Sequence, residues 1–108
     1  MIYKLIKSSD GSRREVDGIM YTTKIETEMM HVIMAELEPG AETDEYVHEG
    51  EEFRIVLEGE IECEVEGRIF KLKEGDAIWH LSDKKHRMRN VGGKKARYLT
   101  VRAFAKVK

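Results

Sequence analysis

The chain is short of the residues that would place it in several large classes. It has one cysteine, Cys63, so no intramolecular disulfide is available and a reducing cytoplasm is the expected compartment. There is no glutamine and a single asparagine, Asn90, while glutamate, lysine and arginine are abundant. That bias resembles proteins of high-temperature organisms, where ion-pair networks are favoured and thermolabile amides avoided. No apolar run approaches the roughly 20 residues needed to span a bilayer, and Met1-Ile2-Tyr3-Lys4 does not open a signal peptide. Neither sign of charge dominates. Charged residues make up 37 % of the chain but the formal net charge is -2, which excludes a whole-molecule field steering it to nucleic acid or membrane. Aromatics are 7 %, and none is interleaved in the basic cluster Lys84, Lys85, Arg87, Arg89, Lys94, Lys95 and Arg97. With an acidic run from Glu42 to Glu66 in the same small domain, that cluster reads as a solvated rim.

What is present is a period of two. At 108 residues the chain is long enough for one core. Glu60 to Glu66 alternates strictly, with Ile61, Cys63 and Val65 on one face and glutamates on the other, which is a strand with one buried and one wet face. Gly59 before it and Gly67-Arg68 after it are turn signals. Further strands are expected at Met29 to Leu37, Phe53 to Leu57, Arg68 to Lys73, Asp76 to His80, His86 to Asn90 and Ala96 to Phe104, with Gly92 to Lys95 a hairpin loop. Ser8 to Ser12 reads as a loop and Ile19 to Ile25 as an added strand. No window carries a helical stripe with caps, and there are no internal repeats. Many short strands argue for an all-β sandwich or barrel.

Two stretches carry the chemistry. The first reads Gly40, five residues, Tyr46, one residue, His48, three residues, Glu52, six residues, Gly59. The second reads Gly75, ten residues, His86, three residues, Asn90. On a strand, Tyr46 and His48 would project to one face. In the following strand Glu52, Arg54 and Val56 share one face, while Phe53, Ile55 and Leu57 share the other. With Glu38-Pro39-Gly40, His48-Glu49-Gly50-Glu51-Glu52-Phe53, Val56-Leu57-Glu58-Gly59-Glu60 and Leu72-Lys73-Glu74-Gly75-Asp76, these stretches resemble the two motifs of a small single-domain cupin. The wording is especially similar to cupin domains that follow helix-turn-helix regulators, although the 28 residues in front are too few and not helical in pattern.

The resemblance implies a fold: an all-β double-stranded β-helix, the jelly-roll cupin barrel. Residues 1–28 would form an N-terminal arm and edge strand or strands of the same domain, and residues 29–108 the barrel. It also implies that His48, Glu52 and His86 occupy the second, third and fourth metal-ligand positions of the family, with Tyr46 on the first, normally a histidine. Two imidazoles and a carboxylate suit Fe, Mn, Ni, Cu or Zn. Tyr46 would ligate only as a phenolate, from a reference pKa near 10, and otherwise lines the pocket. Before the second histidine, Leu81 and Asp83 replace the usual Pro and Gly, with Asp83 acceptable in a left-handed turn.

Arg54 either pairs with Glu52 or binds an acidic ligand. His80 either lines the barrel mouth or is satisfied in the structure, Met88 either contacts a ligand or fills the core, and His31 reads as ordinary sheet. Two functional classes follow. One is a small-molecule binder whose mouth, with Tyr46, Arg54, His80 and Met88, takes a polar or anionic metabolite beside a divalent metal. The other is a metal-dependent enzyme, a dioxygenase or isomerase, using His48, Glu52 and His86. Outward Phe53, Ile55 and Leu57 imply a homodimer. A separate DNA-binding partner is a weaker idea; nucleic acid and membrane are not expected as direct partners.

Overall fold

Alternating polarity builds nearly every element in the structure, a computed structural model describing residues 2–45 and 47–104. Nine strands follow in order: β1 (Ser12–Val16), β2 (Ile19–Glu26), β3 (Met30–Leu37), β4 (Glu51–Glu58), β5 (Ile61–Val65), β6 (Arg68–Leu72), β7 (Ala77–Leu81), β8 (His86–Asn90) and β9 (Ala96–Ala103). No helix occurs among the described residues, so none is long and apolar enough to cross a membrane. The strands form a six-stranded sheet, β1-β2-β3-β9-β4-β7, and a three-stranded sheet, β6-β5-β8. Every pairing is antiparallel. This is an all-β jelly roll with its core between the sheets.

The inward face of each strand supplies that core. In β4, Glu52, Arg54 and Val56 are buried while Phe53 and Leu57 are exposed, the phase the alternation predicts. β5 turns Ile61 and Cys63 inward. They meet Leu37, Leu72, Met88, Ala96 and Tyr98 in one apolar cluster. Two hairpins are closed by tight two-residue loops in which both residues have positive φ: Asp17 (49°) with Gly18 (84°), and Glu66 (54°) with Gly67 (80°). Such loops match the right-handed twist of the strands they join.

The N-terminal segment departs from the pattern. Ser12 opens β1, an edge strand exposed along its whole length, and β2 lies inside the sheet with Ile19 in the core. An edge strand with one neighbour need not alternate, which is why Arg13, Arg14 and Glu15 carry no strand signal. Asp83 is not in the left-handed region expected of it; among described non-glycine residues only Asp17 and Glu66 are. Asn90 is structural. Its Nδ2 donates to the carbonyls of Leu37 (2.9 Å) and Lys94 (2.8 Å), and its Oδ1 accepts from Gly92 N–H (2.9 Å).

Much of the basic cluster is spent on surface ion pairs. Arg87 meets Glu64 (3.3 Å), Arg89 meets Glu42 (3.2 Å) and Glu62 (2.9 Å), and Arg97 meets Glu58 (3.5 Å). On the outer face of the large sheet, Phe53 lies opposite both Trp79 and Val101, and Ile55 opposite both Ala77 and Leu99. Met34 and Val32 continue that apolar face across β3.

Candidate metal centre

His48 is placed by backbone pairing in an irregular segment. Its N–H donates to the Ser82 carbonyl (2.9 Å), and Ser82 N–H donates to the Gly50 carbonyl (2.8 Å), zipping this loop to the end of β7. Gly50 lets the chain turn into β4: its φ is +98°, and a Cβ there would collide with the Ala103 carbonyl. Glu52 follows on the inner face of β4. His86 opens β8 from the facing sheet, opposite Val65. Residues separated by up to 38 positions (86 minus 48) therefore converge, and the ligand atoms of His48, Glu52 and His86 all lie within 4.8 Å of one another.

The ring orientations define the donor set. His48 Nδ1 sits 3.3 Å from the Glu49 carbonyl and His86 Nδ1 sits 2.7 Å from the Lys84 carbonyl. A carbonyl only accepts, so each Nδ1 carries the proton and, in the neutral ring, Nε2 presents a lone pair. Both Nε2 atoms face the same carboxylate oxygen, Glu52 Oε2, at 2.5 Å from His48 and 3.4 Å from His86. With Nε2 protonated as well, each ring would hydrogen-bond the carboxylate; with Nε2 bare, the same three atoms form a donor set for a cation. Imidazoles tied back through Nδ1 to a carbonyl are the usual arrangement of metal-ligating histidine. The donor set fits a divalent ion of the N/O-preferring class.

Electrostatics keep Glu52 ionised and lower the proton affinity of His48. Burial alone would raise the Glu52 carboxyl, but the His86 hydrogen bond and the charge of Arg54 outweigh it and hold it at about 2. Burial lowers His48, with Arg102 adding to the effect and Glu52 opposing it. At neutral pH the carboxylate is charged and the His48 ring is neutral. Side-chain exposure is 24 % at His48 and 0 % at Glu52 and His86, so solvent reaches the cluster from the His48 side.

Arg54 adopts the paired arrangement. Its Nη2 donates to Glu52 Oε1 in a short contact, its Nη1 lies 2.7 Å from His80 Nε2, and the residue is 2 % exposed. His80 stands directly opposite Glu52 on β7. Its Nδ1–H donates to the Leu81 carbonyl (2.8 Å), so its Nε2 lone pair accepts from Arg54. Burial lowers its pKa, which suits this neutral form. The His80 ring lies 4.5 Å from that of His86, yet its bonding is satisfied within the protein. Met88 is fully buried in the apolar core. Tyr46 lies outside the described residues.

One neighbour escapes the sequence reading. Arg102 on β9 is opposite Glu52 on the side away from His80, with its Nε 3.8 Å from Glu52 Oε2. The alternation Tyr98, Thr100, Arg102 signals a shared face, but only the β4–β9 register says what that face meets.

Residues 33–102 match the family described as Cupin domain, on the same segment that carries this cluster. The chain belongs to the cupin family. Among curated proteins, an uncharacterised protein of Archaeoglobus fulgidus is 47 % identical over 47 residues, covering 44 % of each chain. The chain spans less than half the length of the curated relatives it matches. Among solved structures, a predicted oxalate decarboxylase from Thermotoga maritima superposes with a TM-score of 0.85 at 21 % identity, covering 94 % of this cupin and 100 % of that chain. The cupin domain of an XRE family transcriptional regulator from Enterobacter cloacae gives a TM-score of 0.78 at 19 % identity, covering 82 % and 99 %. These likenesses show the fold.

Proposed function

We propose that this cupin binds a small polar or anionic metabolite at the barrel mouth, beside a divalent transition metal held by His48, Glu52 and His86. The observation that carries the reading is the convergence of two imidazole Nε2 atoms on the one oxygen of Glu52 that Arg54 does not hold. His48 and His86 would ligate through Nε2 and Glu52 through Oε2. A metal bound there would act as a Lewis acid toward an oxygen of the ligand. Arg54 keeps Glu52 ionised and fixes its rotation, while the hydrogen bonds of Nδ1 keep both imidazoles in the ligating tautomer.

The second reading is a metal-dependent enzyme of the dioxygenase or isomerase type. It is favoured by the ligand count, because three protein ligands leave coordination positions for a reacting molecule. The likeness to a structure described as a predicted oxalate decarboxylase agrees with an anionic substrate. The outer apolar face of the large sheet, around Phe53 and Trp79, is assigned to a second copy of the chain.

Elemental analysis after purification without affinity tag or chelator tests the metal. Near-stoichiometric Fe, Mn, Ni, Cu or Zn is expected, and His48→Ala and His86→Ala should each lose it. A metal-free protein whose Tm ignores all these ions would overturn the reading, since a ligand of the native state at 100 times its Kd adds about 2.7 kcal/mol of stability.

A further inference from the structure

We propose that the groove between the Glu52 cluster and the β1–β2 hairpin is a subsite for a carboxylate group of the small-molecule ligand. The inference deepens the reading above and rests on it. The groove encloses about 410 Å³ and is lined by Arg14, Tyr21, Thr23, Glu26, His31 and Arg102, among others. That volume falls within the range of small-molecule sites, about 300–1,000 Å³.

Strand register connects the groove to the cluster. Glu26 pairs with His31, His31 with Arg102, Arg102 with Glu52, and Glu52 with His80, forming one row across the inner face of the large sheet. A ligand group lying over His31 and Arg102 is therefore a neighbour of the metal-binding carboxylate. Arg14, Tyr21, Thr23, Glu26 and His31 all precede the segment, 33–102, that matches the family.

The charges point to an anion. Arg14 makes no ion pair with any described residue and lies over the Tyr21 ring, 5.8 Å from its centroid. The Arg102 Nε is buried without a hydrogen bond among the described residues; it lies 3.8 Å from Glu52 Oε2, while Arg54 holds Oε1. Against these two guanidinium groups the groove sets one carboxylate, Glu26, whose Oε1 is 3.9 Å from His31 Nε2. Thr23 Oγ1 lies 3.5 Å from the same nitrogen and offers a hydroxyl to the groove. With Arg54 and Glu52 cancelling, the balance is one positive charge. A carboxylate neutralises it and fits the planar guanidinium fork. A phosphate dianion would overshoot it beside Glu26 and Glu52.

Calorimetric titration of the protein as purified provides the test, with malonate, neutral malonamide and inorganic phosphate as probes and metal content measured in parallel. The wild type should bind malonate and not malonamide. Arg14→Leu, an exposed edge-strand change, should weaken malonate at least tenfold with metal content and Tm unchanged. Arg102→Lys, which keeps the charge but loses the fork, should also weaken it. Absence of malonate binding, unchanged affinity in Arg14→Leu, or phosphate binding as tight as malonate would overturn the proposal. If the wild type holds no metal yet binds malonate through Arg14, the subsite stands and the metal reading fails.

Discussion

Arg54 holds one carboxylate oxygen of Glu52 and leaves the other facing His48 and His86. The pair lies two residues apart on one strand, both side chains turned inward, and it divides the work of a single carboxylate. Oε1 is structural, since it satisfies a buried guanidinium. Oε2 belongs to the cluster. An ion pair that would otherwise compete with a metal would instead orient its ligand.

Removing Arg54 should therefore be costly. Arg54→Leu leaves Glu52 buried and uncompensated, and the chelator-treated protein should lose about 3–5 kcal/mol in denaturant unfolding. With a divalent ion bound, the loss should shrink, because the ion supplies the missing positive charge. A loss under about 1 kcal/mol in the chelated protein would show the pair to be dispensable, well below what breaking a buried pair costs.

Gly50 should matter for a different reason. Its φ of +98° is strained for any side chain, at about 1–3 kcal/mol, and a Cβ meets the Ala103 carbonyl. Gly50→Ala should displace the loop that carries His48. Metal affinity should fall by about 10–100-fold, the range seen when ligand-orienting contacts are lost. Metal titration of the purified variant, with far-UV circular dichroism as a folding check, reads this out. Unchanged affinity would mean that the loop adapts.

Cys63 offers a pH test on a buried group that is not itself one of the cluster ligands. Burial pushes its thiol from 9.0 up to about 11, with Arg54 opposing the rise and nearby glutamates adding to it. The folded chain holds this proton where the unfolded chain has lost it. The stability it contributes is thus complete below pH 9 and declines as pH rises through 9 to 11. The native protein should resist iodoacetamide at pH 8 and react promptly in denaturant. Cys63→Ala should flatten the fall in Tm between pH 9 and 11. Rapid alkylation of the native protein would contradict the burial.

The apolar outer face predicts a dimer. Phe53 and Trp79 sit opposite each other there and are 43 % and 57 % exposed in one chain. Light scattering at micromolar concentration should give twice the chain mass, and Phe53→Glu or Trp79→Glu should halve it. A wild-type mass of one chain would sink the idea.

Much of the fold is legible in the sequence because alternation with period two survives wherever one strand face is wet. Ile61, Cys63 and Val65 declare β5 without help from the rest of the chain. The inward phase of Glu52 and Arg54 is readable from the same rule, as is the outward phase of Phe53. β1 is not readable, since an exposed edge strand has no apolar face to alternate. Asp83 misled for a local reason: its residue type permits a left-handed turn but does not require one.

The motif spacing, through the family resemblance it carries, was enough to indicate a barrel and to mark His48, Glu52 and His86 as a set. Tertiary structure decided how Glu52 divides its two oxygens, that His80 spends its lone pair on Arg54, and that Arg102 and His31 lie in one row with the cluster. The physical reason is register. A side chain's face follows from its own strand, but its neighbours follow from which strand is hydrogen-bonded alongside and at what offset. For Glu52 and Arg102 that pairing spans 50 positions (102 minus 52) and leaves no trace in either segment.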